Sequence, residues 1–272
     1  MSDLSAKQPC ADCVTGHLHE GPTSGTEQKL FGLDTYVAGD KAEHIVICFT
    51  DIFGWKINNV RLIADLISRQ TGYQVLIPDF HQGDSLPLLV DEVLQPDPKA
   101  PPKPFFTRAK NMMSVVGSAA PWFYRHREAT SRPLIENFIE QLRRQHPGAK
   151  VAGIGYCWGG RYALLGTHAR DTSTDPLLDC AVLCHPSLTS DSEYAAAKRP
   201  ISLQIGDQDQ GMSMAKVESA RKIIDEHKMG QTIIYPGQKH GFAARGSQTE
   251  EDTVKAQNKC NADAIAFFKA HL

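Results

Sequence analysis

Val151-Ala-Gly-Ile-Gly-Tyr-Cys-Trp-Gly-Gly-Arg-Tyr162 is the stretch from which the rest of the chain can be read. A short apolar run ends at Ile154, a Gly-x-Cys-x-Gly-Gly cluster follows, and apolar residues resume at Tyr162 and continue to about His168. The pattern predicts a strand, a tight corner and a helix. Such a corner holds one side chain outward on a strained backbone, and bulky residues two positions to either side would collide with it. Gly155 and Gly159 occupy those positions, and Cys157 is the side chain presented. Backbone N–H groups at the start of the next helix favour the thiolate, the nucleophilic form. A dinucleotide fingerprint counted from Gly153 fails because Trp158 stands where a glycine is needed. A phosphate-binding loop fails because Gly160 and Arg161 replace Lys and Ser/Thr. The remaining alternative is a structural turn around a buried, inert cysteine.

With 272 residues the chain can fill one α/β domain with its own core. A net charge of -2, with Lys and Arg scattered singly, provides no basic stripe for nucleic acid and no patch for a membrane surface. The polar segment Met1–Gln8 lacks the apolar centre of a signal peptide, and no apolar run reaches the length of a membrane span. Seven cysteines, with Cys48, Cys180 and Cys184 inside apolar runs, suit reduced thiols. The expected location is cytoplasmic.

Residues 1–28 read as an irregular N-terminal arm and residues 29–272 as a single domain. In the arm, Cys10-Ala-Asp-Cys13 precedes His17 and His19, but the spacing is too short for a zinc finger and no metal is expected. Strands are predicted at Leu33–Ala38, His44–Phe49, Val75–Ile77, Asp179–Cys184, Ile201–Ile205 and Thr232–Tyr235. Helices are predicted from about Lys56 to Gln70, after Pro133, across Met214, Val217 and Ala220, and from about Glu250 to Leu272. Prolines 87, 96, 98, 101, 102 and 104 interrupt residues 81–104, which read either as a lid or pocket wall or as a surface excursion. Strand and helix alternate, so the fold class is α/β, with a mostly parallel central sheet and helices on both faces.

In open parallel sheets the reactive groups lie beyond the carboxyl ends of the strands. Asp207 and Asp209 follow the strand ending at Ile205, and His240 follows the one ending at Tyr235. Nucleophile, acid and histidine therefore come in the chain order of an α/β-hydrolase. His240 would take the proton of Cys157 and later protonate the leaving oxygen, while Asp209, preferred to Asp207 for its greater reach, would steady the imidazole. Backbone N–H groups of Trp158 and Ile52 are the candidate oxyanion donors. Asp51 would lie near the thiol as an accessory carboxylate, or else cap the helix ahead.

Asp51-Ile-Phe-Gly-Trp55, Pro78-Asp-Phe80, Gly155-Tyr-Cys-Trp-Gly-Gly160, Gly206-x-x-Asp209 and His240-Gly-Phe242 together resemble the dienelactone hydrolase (carboxymethylenebutenolidase) family, particularly its eukaryotic members, from about Gly32 onward. The resemblance implies an α/β-hydrolase fold and a cofactor-independent enzyme. Its Cys157-Asp209-His240 triad would open small lactones or cleave related esters through a thioacyl intermediate. It also implies that Asp51 stands where bacterial members carry a Glu that takes the thiol proton. Those members hold the lactone carboxylate with arginines. Here Arg245 is offset by one position and His81 stands where an arginine is expected; with Trp55 these are the substrate-binding candidates. The expected partner is a small lactone or ester, without nucleic acid or membrane, and the expected state is a monomer or homodimer. The rival function is a non-catalytic or redox-responsive binding protein on a hydrolase scaffold, with Cys157 oxidised rather than acylated.

Overall fold

His44–Phe49 (β3), Lys150–Tyr156 (β5), Cys180–Cys184 (β6) and Ile201–Gly206 (β7) are buried along nearly their whole length, as strands covered on both faces are. In the computed structural model, which describes residues 17–86, 119–170 and 175–272, they form the middle of an eight-stranded sheet. Thr26–Leu30 (β1), Leu33–Ala38 (β2), Gln74–Pro78 (β4) and Gly230–Tyr235 (β8) complete it in the order β1-β2-β4-β3-β5-β6-β7-β8. From β4 to β8 every pairing is parallel, whereas β1–β2 and β2–β4 are antiparallel. The prolines at 87–104, and with them the lid or wall expected there, lie outside the described residues, as do Cys10 and Cys13.

Seven named helices flank the sheet among the described residues: α1 (Asn58–Thr71), α2 (Glu128–Gln145), α3 (Trp158–Leu165), α4 (Asp191–Ala195), α5 (Met214–Glu226), α6 (Phe242–Arg245) and α7 (Glu251–His271). The register assigns them to opposite faces. Gly155 pairs with Leu183 and Tyr156 with Cys184, so these two pairs point to opposite sides of the sheet. Gly155 faces the first turn of α3, whereas Cys184 and Gln204 meet Cys260 of α7. No described helix is long and apolar enough to cross a membrane.

The structure differs from expectation at two elements. β1 begins at Thr26, inside the stretch expected to be an irregular arm, and joins β2 through Phe31 and Gly32, both at positive φ (50° and 85°). β1 is exposed and polar, as an edge strand with one partner can be, and so carries little apolar signal. Helix α2 starts at Glu128 rather than after Pro133 and contains that proline. A proline removes one intrahelical donor; here Ile135, Phe138, Ile139 and Leu142 bury the helix and offset that loss.

Candidate active site

β5 ends at Tyr156 and α3 starts at Trp158, so Cys157 alone makes the corner, at φ 52° and ψ -114°. A positive φ is costly for a residue with a Cβ, and three backbone bonds hold it in place. The Cys157 N–H donates to Cys184 O at 3.2 Å, and its carbonyl accepts from Gly160 N at 3.1 Å and Ser187 N at 2.9 Å. A Cβ on Gly155 would lie 2.3 Å from Gly159 O, and one on Gly159 only 2.1 Å from Phe49 O. The glycines thus let α3 sit directly on the ends of β5 and β3. This brings the 50–55 loop beside the corner.

Asp209 leaves β7 and His240 leaves β8, its neighbour in the sheet. His240 Nδ1 lies 3.0 Å and 2.9 Å from the two Asp209 carboxylate oxygens, with both side chains fully buried. Asp209 Oδ1 also accepts from the N–H groups of Gly211 (2.7 Å) and Met212 (3.2 Å), so its own loop aims it. An ionised carboxylate only accepts, so Nδ1 carries the hydrogen and Nε2 is left as the basic nitrogen. Ser187 touches both groups, its Oγ lying 3.4 Å from His240 Nε2 and 3.4 Å from Cys157 Sγ. Asp207 is turned away, accepting from Gly237 N at 2.7 Å.

Asp51 and Arg245, given separate roles by the sequence, form one buried ion pair: Arg245 Nε donates to Asp51 Oδ2 at 2.6 Å. Asp51 Oδ1 accepts from Phe53 N at 3.0 Å, and the guanidinium lies 4.8 Å above the Phe53 ring. The pair ties the loop after β3 to α6, the helix following His240. Ile52 is fully buried in that loop, its carbonyl accepting from Leu86 N. Trp158 opens α3, so its N–H is one that the helix cannot satisfy internally. Trp55 is buried, with Arg61 at 5.0 Å and Lys56 at 5.7 Å from its ring. His81 is buried against Trp158, Trp122 and His126, with Nδ1 3.3 Å from Ser85 Oγ. Burial first, and then the neighbouring His126, push its pKa down to about 3, so it is a neutral ring.

Sequence reasoning missed Ser187 and His185. Both lie in Cys184-His-Pro-Ser187 behind β6, and the strand-end rule that found Asp209 and His240 applies equally to that loop. His185 is fully buried at φ 39°, its ring 5.0 Å from that of His240, and neither of its nitrogens has a hydrogen-bond partner among the described residues. Burial, followed by the charges of His240 and Arg245, pushes its pKa well below the ordinary value. His17 and His19 hold the arm through backbone contacts, His17 N donating to Arg245 O and His19 N to Asn59 Oδ1. Among the described residues no group of three or more His, Cys, Asp or Glu is arranged to hold a metal.

Comparison with known proteins shows where the chain has relatives. The family model described as "Dienelactone hydrolase family" matches residues 33–272. Hydrolase pyvD of Aspergillus violaceofuscus is 27% identical over 99% of this chain and 99% of its own length. The carboxymethylenebutenolidase homolog of Mus musculus is 26% identical over 87% of this chain and 86% of its own. In fold, the chain resembles the crystal structure of a putative dienelactone hydrolase from Klebsiella pneumoniae, with TM-score 0.59 and 19% identity across 91% of this chain and 98% of that one.

Proposed function

Because the chain belongs to the dienelactone hydrolase family, we propose that it is a cofactor-independent hydrolase that opens small lactones or cleaves activated esters through Cys157, His240 and Asp209. The observation that carries this reading is the strained Cys157 corner, joined through Ser187 to a buried imidazole–carboxylate pair. Hydrolase activity follows from the family; the cysteine nucleophile and the acyl-enzyme step are the proposal. His240 Nε2 accepts the thiol proton, the sulfur attacks the carbonyl carbon, and the developing oxyanion is met by the N–H groups of Trp158 and Ile52. His240 then protonates the leaving oxygen, which in a lactone stays tethered to the acyl group, and activates water to release the acid. Among the described residues the cysteines are thiols rather than disulfides, which supports a reducing, cytosolic setting.

Cys157→Ala is expected to abolish hydrolysis of an aryl ester, and rapid quenching of the wild type should trap an acyl mass on the peptide containing Cys157. Full activity in Cys157→Ala would sink the proposal. Failure across a broad lactone and ester panel, together with partner binding that responds to Cys157 oxidation, would favour the binding-protein alternative.

A further inference from the structure

We propose that Ser187 is a catalytic residue of this site, its hydroxyl carrying the proton from the Cys157 thiol to His240 Nε2 and then hydrogen-bonding the thiolate. The inference rests on the triad reading above and adds to it a member supplied by the loop behind β6. Ser187 is buried, its Oγ standing 3.4 Å from Cys157 Sγ and 3.4 Å from His240 Nε2. Its backbone is fixed as well: Ser187 N–H donates to Cys157 O at 2.9 Å, and His185 and Leu188 on either side of it sit at positive φ (39° and 62°). One loop therefore grips the backbone of the nucleophile while placing a hydroxyl against its sulfur.

A hydroxyl can donate and accept at once, which a relay requires and which a packing methyl cannot do. In the resting site the thiol donates to Ser187 Oγ and the serine O–H donates to Nε2. As transfer proceeds the S–H bond breaks, its electron pair stays on sulfur, and that proton joins Oγ. Simultaneously the original O–H proton passes to Nε2. Serine ends with one hydrogen, as it began, now directed at the sulfur. The net change is thiol plus imidazole to thiolate plus imidazolium, the latter facing Asp209.

Among the described residues, the other ionisable groups around the pair include Asp209 behind β7, His185 behind β6, Tyr156 and Cys184 at the ends of β5 and β6, and the Asp51–Arg245 pair joining the loop after β3 to α6. Substitution at Ser187 leaves all of them in place. The test is Ser187→Ala in the full chain, read by the rate of Cys157 alkylation with iodoacetamide as a function of pH, and by the acylation burst with an aryl ester. Loss of a hydrogen bond to a charged group should raise the alkylation midpoint by about one pH unit and slow acylation about ten- to a hundredfold. KM should change far less. An unchanged midpoint and burst in Ser187→Ala overturn the relay. If the Ala variant melts lower than wild type, Ser187→Thr decides: recovery of both readouts supports the relay, and no recovery overturns it. Cys157→Ala, run alongside, separates the two claims. An inactive Cys157→Ala with a normal Ser187→Ala leaves the triad standing without the relay, whereas an active Cys157→Ala removes both.

Discussion

At the scale of single residues, the site is a chain of polar contacts in which each group fixes the next. Asp209 is aimed by two N–H groups of its own loop and holds Nδ1 of His240, which leaves the basic nitrogen to Ser187. Asp209→Asn offers that nitrogen an amide that can turn its N–H toward it and select the wrong tautomer. Hydrolysis should fall about 10³–10⁴-fold in kcat with little change in fold, measured by ester turnover beside circular dichroism. The Asp51–Arg245 pair behaves differently because both charges are out of water. Asp51→Asn or Arg245→Met alone strands one buried charge and should cost about 3–5 kcal/mol in urea unfolding, while the double variant should recover much of it. Additive losses in that cycle would show the pair to be uncoupled.

Among the elements, the corner between β5 and α3 is where the sequence was most legible, since glycines two positions either side of a cysteine have few other uses. Gly159→Ala places a methyl 2.1 Å from Phe49 O, a backbone atom that cannot move without disturbing β3. It should cost about 3 kcal/mol or more. Gly72 also has positive φ (76°) but nothing within 4 Å of its added Cβ, so Gly72→Ala should cost only about 1–2 kcal/mol. Thermal melts of the two variants check the contrast, and similar losses would mean that crowding is not what the corner requires. The elements that sequence periodicity misplaced are those that other forces decide. β1 is an exposed edge strand held by backbone pairing to β2, and α2 runs through Pro133 because its buried face outweighs one lost bond. Ser187 and His185 lay behind a correctly predicted strand. Serine and histidine in a loop carry no pattern of their own, and only the packing of β6 beside β5 brings them to the thiol.

Over the whole molecule, burial of neutral imidazoles links stability to pH. His81 is pushed from 6.5 down to about 3, and His185 is also lowered, both mainly by burial. Below pH 6.5 the unfolded chain binds protons at these rings that the folded chain refuses, so stability falls as pH drops. Each ring contributes a slope approaching about 1.4 kcal/mol per pH unit. Urea midpoints should therefore decline between neutrality and about pH 5, above the range where most carboxylates titrate. His81→Phe, which keeps an aromatic ring but cannot titrate, should flatten the decline; an unaltered slope would refute this assignment.

The parallel order of β3 to β8 collects Cys157, Ser187, Asp209 and His240 along one rim of the sheet. The opposite rim carries exposed Lys41, Lys150, Lys198 and Lys228, which precede or open β3, β5, β7 and β8. Exposed Lys56 and Lys239 sit on the working edge itself, so an amine-reactive resin would tether some molecules by that edge and others by the opposite one, and only the second group would present the site to the flowing solution.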